Sequence, residues 1–255
     1  MATAKAALLF LAVAVTAHAD WTIRSADSKP GRGGIVHRHI ALEDSETNDS
    51  ATIDLALFST KACTLRVIDQ PAPPRSDLGQ VMRQEKCFAG VNGGYFDPDY
   101  APIGLLISDG KVIAPLRRAS LITGVLAASP REVKILRISE LSKKPKFNAA
   151  VQCGPFLVDT GRSVRGLEKT REARRTFVAA GPANRAALGF CSEVSLSELA
   201  KILATTRLAD DFNIERALNL DGGSSSGFWV AHEDGSAFSI PEQKAVRDFV
   251  ALVPR

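Results

Sequence analysis

The chain has few of the residues from which metal clusters and nucleic-acid surfaces are built. Its 255 residues include only 4 cysteines, 4 histidines, 2 tryptophans and 2 tyrosines. No two of Cys63, Cys87, Cys153 and Cys191 form a C-x-x-C pair, which argues against a zinc cluster. There is little charge of one sign: the net charge is +4, scattered along the chain, and drops by one if Lys5 is removed, so nucleic acid is not an expected partner. Beyond residue 19 no apolar run approaches membrane-spanning length, and no further span is expected. Regular β-α alternation is missing too, which disfavours a doubly wound parallel sheet, and neither an internal repeat nor an interdomain linker is visible.

The first segment has a recognisable composition. Lys5, the apolar run from Ala6 to Thr16 and the Ala17-His18-Ala19 pattern read as a signal peptide over 1–19, too short for a comfortable membrane anchor and ending in a cleavage signature. A bacterial periplasmic or secreted location follows as an expectation. An oxidising compartment turns an even cysteine count into two disulfides; of three connectivities, Cys63 with Cys87 and Cys153 with Cys191 is favoured. The polar, Gly- and Pro-containing 20–34 (SADSKPGRGG) reads as a flexible leader, leaving one domain over 35–255.

Within that domain, β-rich runs recur at Ile35 to Leu42, Thr52 to Phe58 and Thr64 to Asp69, and Pro71 to Pro74 breaks the series. Ser76 to Glu85 is a helix candidate. Asp109-Gly110 between apolar runs signals a type I′ hairpin, since both central positions tolerate positive φ. Thr176 to Cys191 and the flanks of Asp234-Gly235 read as two more hairpins. Ser195 with Glu198 forms a capping box ahead of Leu196, Leu199, Ile202 and Leu203, which predicts a helix to about Thr206. The fold class expected is α+β: a mixed, strand-rich sheet core with a few helices in a single domain.

Four stretches carry chemistry. In ALNLDGGSSSGFWV, strands on both sides compress the Gly/Ser run into a tight connection after Asp221, where clustered N–H groups can form an anion-binding nest. Gly223 to Gly227 also satisfies G-x-S-x-G, but β-prone FWVA replaces the required helix and only His232 follows, so a serine esterase using Ser225 is the weaker alternative. Asn92-Gly93-Gly94 offers an amide beside glycines that permit close approach to a ligand or meet a turn's demands. Gln152 interrupts an apolar run ahead of Gly154-Pro155, and Arg175 opens a strand, where a guanidinium can clamp phosphate through two parallel hydrogen bonds. His37 and His39 alternate on one strand face, yet two histidines do not make a metal site.

Together, NGGYF, PIGLLISDGK, QCGPFLV, RRTFV, SLSELA and ALNLDGGSSS resemble the phosphodiester glycosidase domain of the lysosomal uncovering enzyme and its bacterial relatives, from about Val91 to the C-terminal ALVPR. The resemblance implies removal of N-acetylglucosamine from a sugar 1-phosphodiester. It places Asn92, Gly93 and Gly94 on the family's N-G-G/A motif, and Gln152, Gly154 and Pro155 on Q-x-G-P. Arg175 and Thr176 fall on R-T, and Asp221, Gly222, Gly223, Ser225 and Ser226 on D-G-G-G-S-S. Tyr95 replaces the more usual Phe, a change of little expected consequence, and Ser224 stands where a third Gly is common. The implied catalytic residues are Asp221, Arg175 and Asn92; Gly93, Gly94, Gln152, Gly154, Thr176, Gly222, Gly223, Ser225 and Ser226 are the implied substrate-binding set. Asp97, Asp99, Asp109 and Glu168 are candidates for a second carboxylate. No cofactor is expected, with a divalent metal left open, and the partner is a small or polymeric glycosyl-phosphate. The alternative class is an exported, non-catalytic carbohydrate- or phosphate-binding protein.

Overall fold

The computed structural model describes residues 21–142 and 146–255, so the expected signal peptide lies outside the described residues. Three antiparallel sheets form the molecule. The largest has eight strands, in spatial order Trp21–Pro30, Val36–Asp44, Ser50–Ser59, Arg185–Val194, Ala173–Ala180, Arg216–Asn219, Phe156–Asp159 and Arg162–Ser163. A five-stranded sheet runs Lys111–Ala114, Leu106–Ser108, Ala149–Cys153, Gly124–Ala128, Val133–Arg137. The third runs Ala237–Ile240, Phe228–Ala231, Ala89–Asn92, Asp248–Pro254, Cys63–Asp69. The strand-rich core with few helices agrees with the expectation.

The main core fills the space enclosed by all three sheets. Val91, Leu106, Val151, Phe156, Val178, Leu188, Leu218, Phe228 and Val250 meet there. Many strands are buried on both faces, so they read as continuous apolar runs: in FWVA, Phe228 and Val230 enter the main core while Trp229 and Ala231 pack outward. Outside the third sheet, helix Leu78–Gln84 covers Trp229 and Phe249, its N-cap Asp77 accepting from the Gln80 N–H. Outside the large sheet, helix Leu196–Thr205 carries the expected capping box of Ser195 and Glu198 and buries Leu199, Ile202 and Leu203. Each such side chain stabilises the fold by about 1.5–3 kcal/mol.

The hairpins at Asp109-Gly110, between Ala180 and Arg185, and at Asp234-Gly235 all form. Asp109 and Gly110 have φ of 48° and 77°, the pair of positive angles that a type I′ turn requires.

Two expectations are corrected. The expected leader is a strand: Trp21–Pro30 pairs along its length with Val36–Asp44, and only Trp21 is buried. An edge strand exposed on both faces carries no hydrophobic alternation, and its backbone ladder leaves no trace in composition. The favoured disulfides are not formed. All four cysteines are buried thiols, and each favoured pair is split across packing clusters: Cys63 and Cys153 belong to the main core, Cys87 to the core under helix Leu78–Gln84, and Cys191 to that under Leu196–Thr205.

His37 and His39 do share a face, and both turn to one carboxylate: Asp54 Oδ1 lies 3.0 Å from His37 Nε2 and 2.9 Å from His39 Nδ1. The other His37 nitrogen meets His232 at 3.1 Å. Among the described residues no group of three or more His, Cys, Asp or Glu is arranged to hold a metal ion. Nor, among them, is any helix long and apolar enough to cross a membrane.

Candidate active site

The N-G-G, Q-x-G-P, R-T and D-G-G motifs converge where the large sheet meets the third. Asn92 is the junction and is completely buried. Its Nδ2 donates to the Asp221 carbonyl at 2.7 Å, and its Oδ1 accepts from the Thr176 hydroxyl at 2.7 Å and the Gly227 N–H at 3.1 Å. One amide therefore ties partners 84, 129 and 135 residues away in sequence. Asn92 and Thr176 both have no exposed surface.

Gln152 is likewise buried and bonded within the chain. Its Oε1 accepts from the Leu105 and Arg117 N–H groups at 2.9 and 3.0 Å, and its Nε2 donates to the carbonyls of Arg117 and Ile122 at 2.5 and 3.2 Å. These four bonds use the amide's full capacity, so it pins two loops and leaves nothing for a ligand.

Gly93 is needed for a carboxylate of the protein itself. A Cβ there would stand 1.8 Å from Asp248 Oδ1, the atom that accepts the Gly94 N–H at 3.1 Å. The sequence offered no signal for Asp248, one acid in RDFVALV. Its Oδ2 has no partner, and burial foremost, with Asp69 and Asp221 nearby, pushes its pKa up to about 7. A carboxyl whose pKa is raised in the folded state favours folding while it keeps its proton. That contribution is complete below about pH 4 and is lost as pH rises toward 7. Asp248→Asn is therefore expected to flatten the pH dependence of stability, gaining on the order of 4 kcal/mol on wild type between pH 4 and pH 8. Urea unfolding at both pH values checks this; parallel profiles would remove Asp248 as the titrating group.

Asp221 follows strand Arg216–Asn219 and remains partly exposed. Its N–H donates to the Gly93 carbonyl at 3.1 Å, and its Oδ1 accepts the Gly222 N–H at 3.0 Å. Burial raises its pKa, against the opposing pull of the Ser225 hydroxyl, Lys244 and the Gly222 N–H. Lys244, whose charge acts on Asp221, stands over the Phe96 ring at 5.0 Å and had no sequence signal. Gly223 to Ser225 form a single 3-10 turn in which Gly223 has φ of 64° and its side faces open space. Ser224 is not among the residues with positive φ, so the departure from a third Gly costs no strain.

Arg175 reaches the same turn. Its Nη1 and Cδ each lie 3.8 Å from where a Cβ on Gly222 would be. Its Nε donates to the Val194 carbonyl at 3.0 Å and its Nη2 to the Arg171 carbonyl at 2.6 Å, so two of its three nitrogens are engaged with the main chain. Burial lowers the Arg175 pKa, and Glu168, 3.9 Å away, opposes that shift. Of the candidate second carboxylates, Glu168 alone reaches this guanidinium; Asp97 holds the turn to Ala101 and Asp109 pairs with Arg66.

Tyr95 proves consequential. Its hydroxyl donates to the Gly154 carbonyl at 2.7 Å and accepts from Asn219 Nδ2 at 3.1 Å, a link that Phe would lack. Burial, then Cys153 and Asp221, raise its pKa while Arg175 lowers it, so the phenol shares the field of both site residues.

Ser225 and Ser226 are completely buried, and His232 has its ring nitrogens against His37 and Ser236. The esterase alternative therefore lacks both an accessible nucleophile and a base. Asp221, Gly222 and Gly223 are partly exposed; Arg175, Asn92, Gly93, Thr176, Gln152, Ser225 and Ser226 are buried around them. Hollows of about 400 Å³ beside Arg216 and about 420 Å³ beside Trp229 are lined by none of these residues.

Residues 85–252 match the family described as phosphodiester glycosidase, well over half of the chain. The chain belongs to the phosphodiester glycosidase family. Over 91 residues this glycosidase-family chain is 31% identical to the uncharacterized protein YigE of Escherichia coli K12, covering 33% of this chain and 36% of that protein's length. Its fold resembles the catalytic domain of zebrafish N-acetylglucosamine-1-phosphodiester alpha-N-acetylglucosaminidase, auto-inhibited by its pro-peptide, with a TM-score of 0.59 and 17% identity, covering 92% of this chain and 83% of that one. A hypothetical protein from Synechocystis is similar at a TM-score of 0.61 and 15% identity, covering 87% and 62% of the two chains.

Proposed function

We propose that this member of the phosphodiester glycosidase family is an exported hydrolase that cleaves a sugar 1-phosphodiester of the N-acetylglucosamine type to free sugar and a phosphomonoester. The carrying observation is that Gly222 neighbours both a carboxylate and a guanidinium: its N–H donates to Asp221 Oδ1 at 3.0 Å, and Arg175 Nη1 lies 3.8 Å from where its Cβ would stand. Breaking the anomeric C–O bond develops positive charge on the sugar and negative charge on the departing phosphate. Asp221 faces the sugar side, stabilising the oxocarbenium-like centre and steering water to the anomeric carbon. Arg175 Nη1 and Lys244 face the phosphate. Water supplies hydroxyl to the sugar, the C–O electron pair leaves with the phosphate oxygen, and the released proton passes to solvent or to the phosphomonoester.

The test is direct: the protein is incubated with an N-acetylglucosamine 1-phosphodiester, and free reducing sugar and phosphomonoester are quantified. Equal amounts of both support the proposal. Binding without turnover would instead support a non-catalytic binding protein.

Replacement of Arg175 by Met keeps the apolar stem and removes the charge. It is expected to lower kcat/KM for the phosphodiester about 100-fold. Hydrolysis of a neutral aryl glycoside reports the accompanying loss of the two backbone contacts; equal losses on both substrates would take Arg175 away from the phosphate.

A further inference from the structure

Among the described residues the exposed large hydrophobic side chains are Ile23, Val112, Leu116 and Leu121, and three of them fall between residues 112 and 121 with exposures of 59%, 41% and 51%. Every residue from Pro115 to Leu121 is exposed. No acidic residue occurs between Asp109 and Glu132, whereas Lys111, Arg117, Arg118 and Arg131 are all basic. A solvated loop would not need leucines, and a buried one would not keep two adjacent arginines exposed. Apolar tips flanked by uncompensated cations are the composition of a segment that rests on an anionic, apolar-cored surface.

The loop is anchored beside the candidate site. Gln152 holds the Arg117 backbone at both its N–H and its carbonyl. The Leu121 carbonyl lies 2.4 Å from where a Cβ on Gly154 would stand, and Gly154 is the residue whose carbonyl receives the Tyr95 hydroxyl. Its anchoring through main-chain atoms leaves the side chains of Leu116, Arg117, Arg118 and Leu121 free to face outward.

We propose that the loop Pro115–Leu121 docks the protein on the surface of a bilayer containing anionic phospholipid. It rests on the proposed function only in that docking brings Asp221 to glycosyl-phosphates displayed at a membrane. The basic side chains pair with lipid phosphates while Leu116 and Leu121 enter the headgroup region.

Flotation of the full chain with vesicles of phosphatidylglycerol and phosphatidylcholine, or of phosphatidylcholine alone, tests this with no glycoside present. Wild type is expected to prefer the anionic vesicles and to lose that preference in 0.5 M salt. Arg117→Gln/Arg118→Gln is expected to bind them about thirtyfold more weakly, and Leu116→Ser/Leu121→Ser to bind them more weakly at any salt concentration. Any contribution of residues 1–19 is common to all three proteins. Equal binding by wild type and both variants, or no preference for anionic vesicles, overturns the proposal. Hydrolysis of a soluble phosphodiester is scored separately, so failure of docking and failure of the catalytic reading give different results.

Discussion

Asp221→Asn is expected to lower kcat on a sugar 1-phosphodiester by about 10³-fold while the protein stays folded. The side chain keeps its size and can still accept the Gly222 N–H, so the turn retains its geometry. What is removed is the negative charge facing the sugar. Stability is expected to move the other way. Burial raises the Asp221 pKa, so the ionised carboxylate opposes folding above its ordinary range, and a neutral amide relieves that cost. A melting temperature at pH 8 equal to or above wild type, combined with lost turnover, would mark Asp221 as held at the expense of stability for chemistry. Turnover within threefold of wild type would remove it from the reaction.

The second large effect belongs to a completely buried residue. Asn92→Ala leaves the Thr176 hydroxyl, the Gly227 N–H and the Asp221 carbonyl without their buried partner. Each unsatisfied group costs about 1–3 kcal/mol, so a total of about 3–5 kcal/mol and a fall in melting temperature of roughly 10 °C are expected. Asn92→Asp separates bonding from shape: it retains the acceptor for Thr176 and Gly227 but sets a carboxylate oxygen against the Asp221 carbonyl. Measured against wild type at the same pH, it should therefore be destabilised at neutral pH and partly restored in acid, a recovery that Asn92→Ala would not show. Thermal melts at pH 5 and pH 8 distinguish the two.

Local rules carried much of the fold into the sequence. The capping box of Ser195 and Glu198, the Asp109-Gly110 turn and the Gly-Pro-Ala-Asn turn at residues 181–184 are determined by neighbours a few positions apart, and the structure forms each where expected. Trp21–Pro30 was not legible, because its stability lies in main-chain bonds to Val36–Asp44 and its side chains face water. Cysteine parity cannot say which side of a sheet each thiol occupies. For the site, motif positions marked which segments converge but not which atoms face outward. Asn92 and Gln152 are polar residues in apolar surroundings, a pattern shared by ligand contacts and buried braces, and the four bonds of Gln152 or the three of Asn92 have no counterpart in the sequence pattern. Asp248 and Lys244 come from strands and loops that sequence alone could not bring to Asp221.

The Asn92 amide has a consequence for the history of each molecule. Because its partners come from segments so far apart along the chain, the arrangement depends on long-range contacts and is not expected in a nascent or partly collapsed polypeptide. Recovery of turnover during refolding should therefore trail the appearance of β structure.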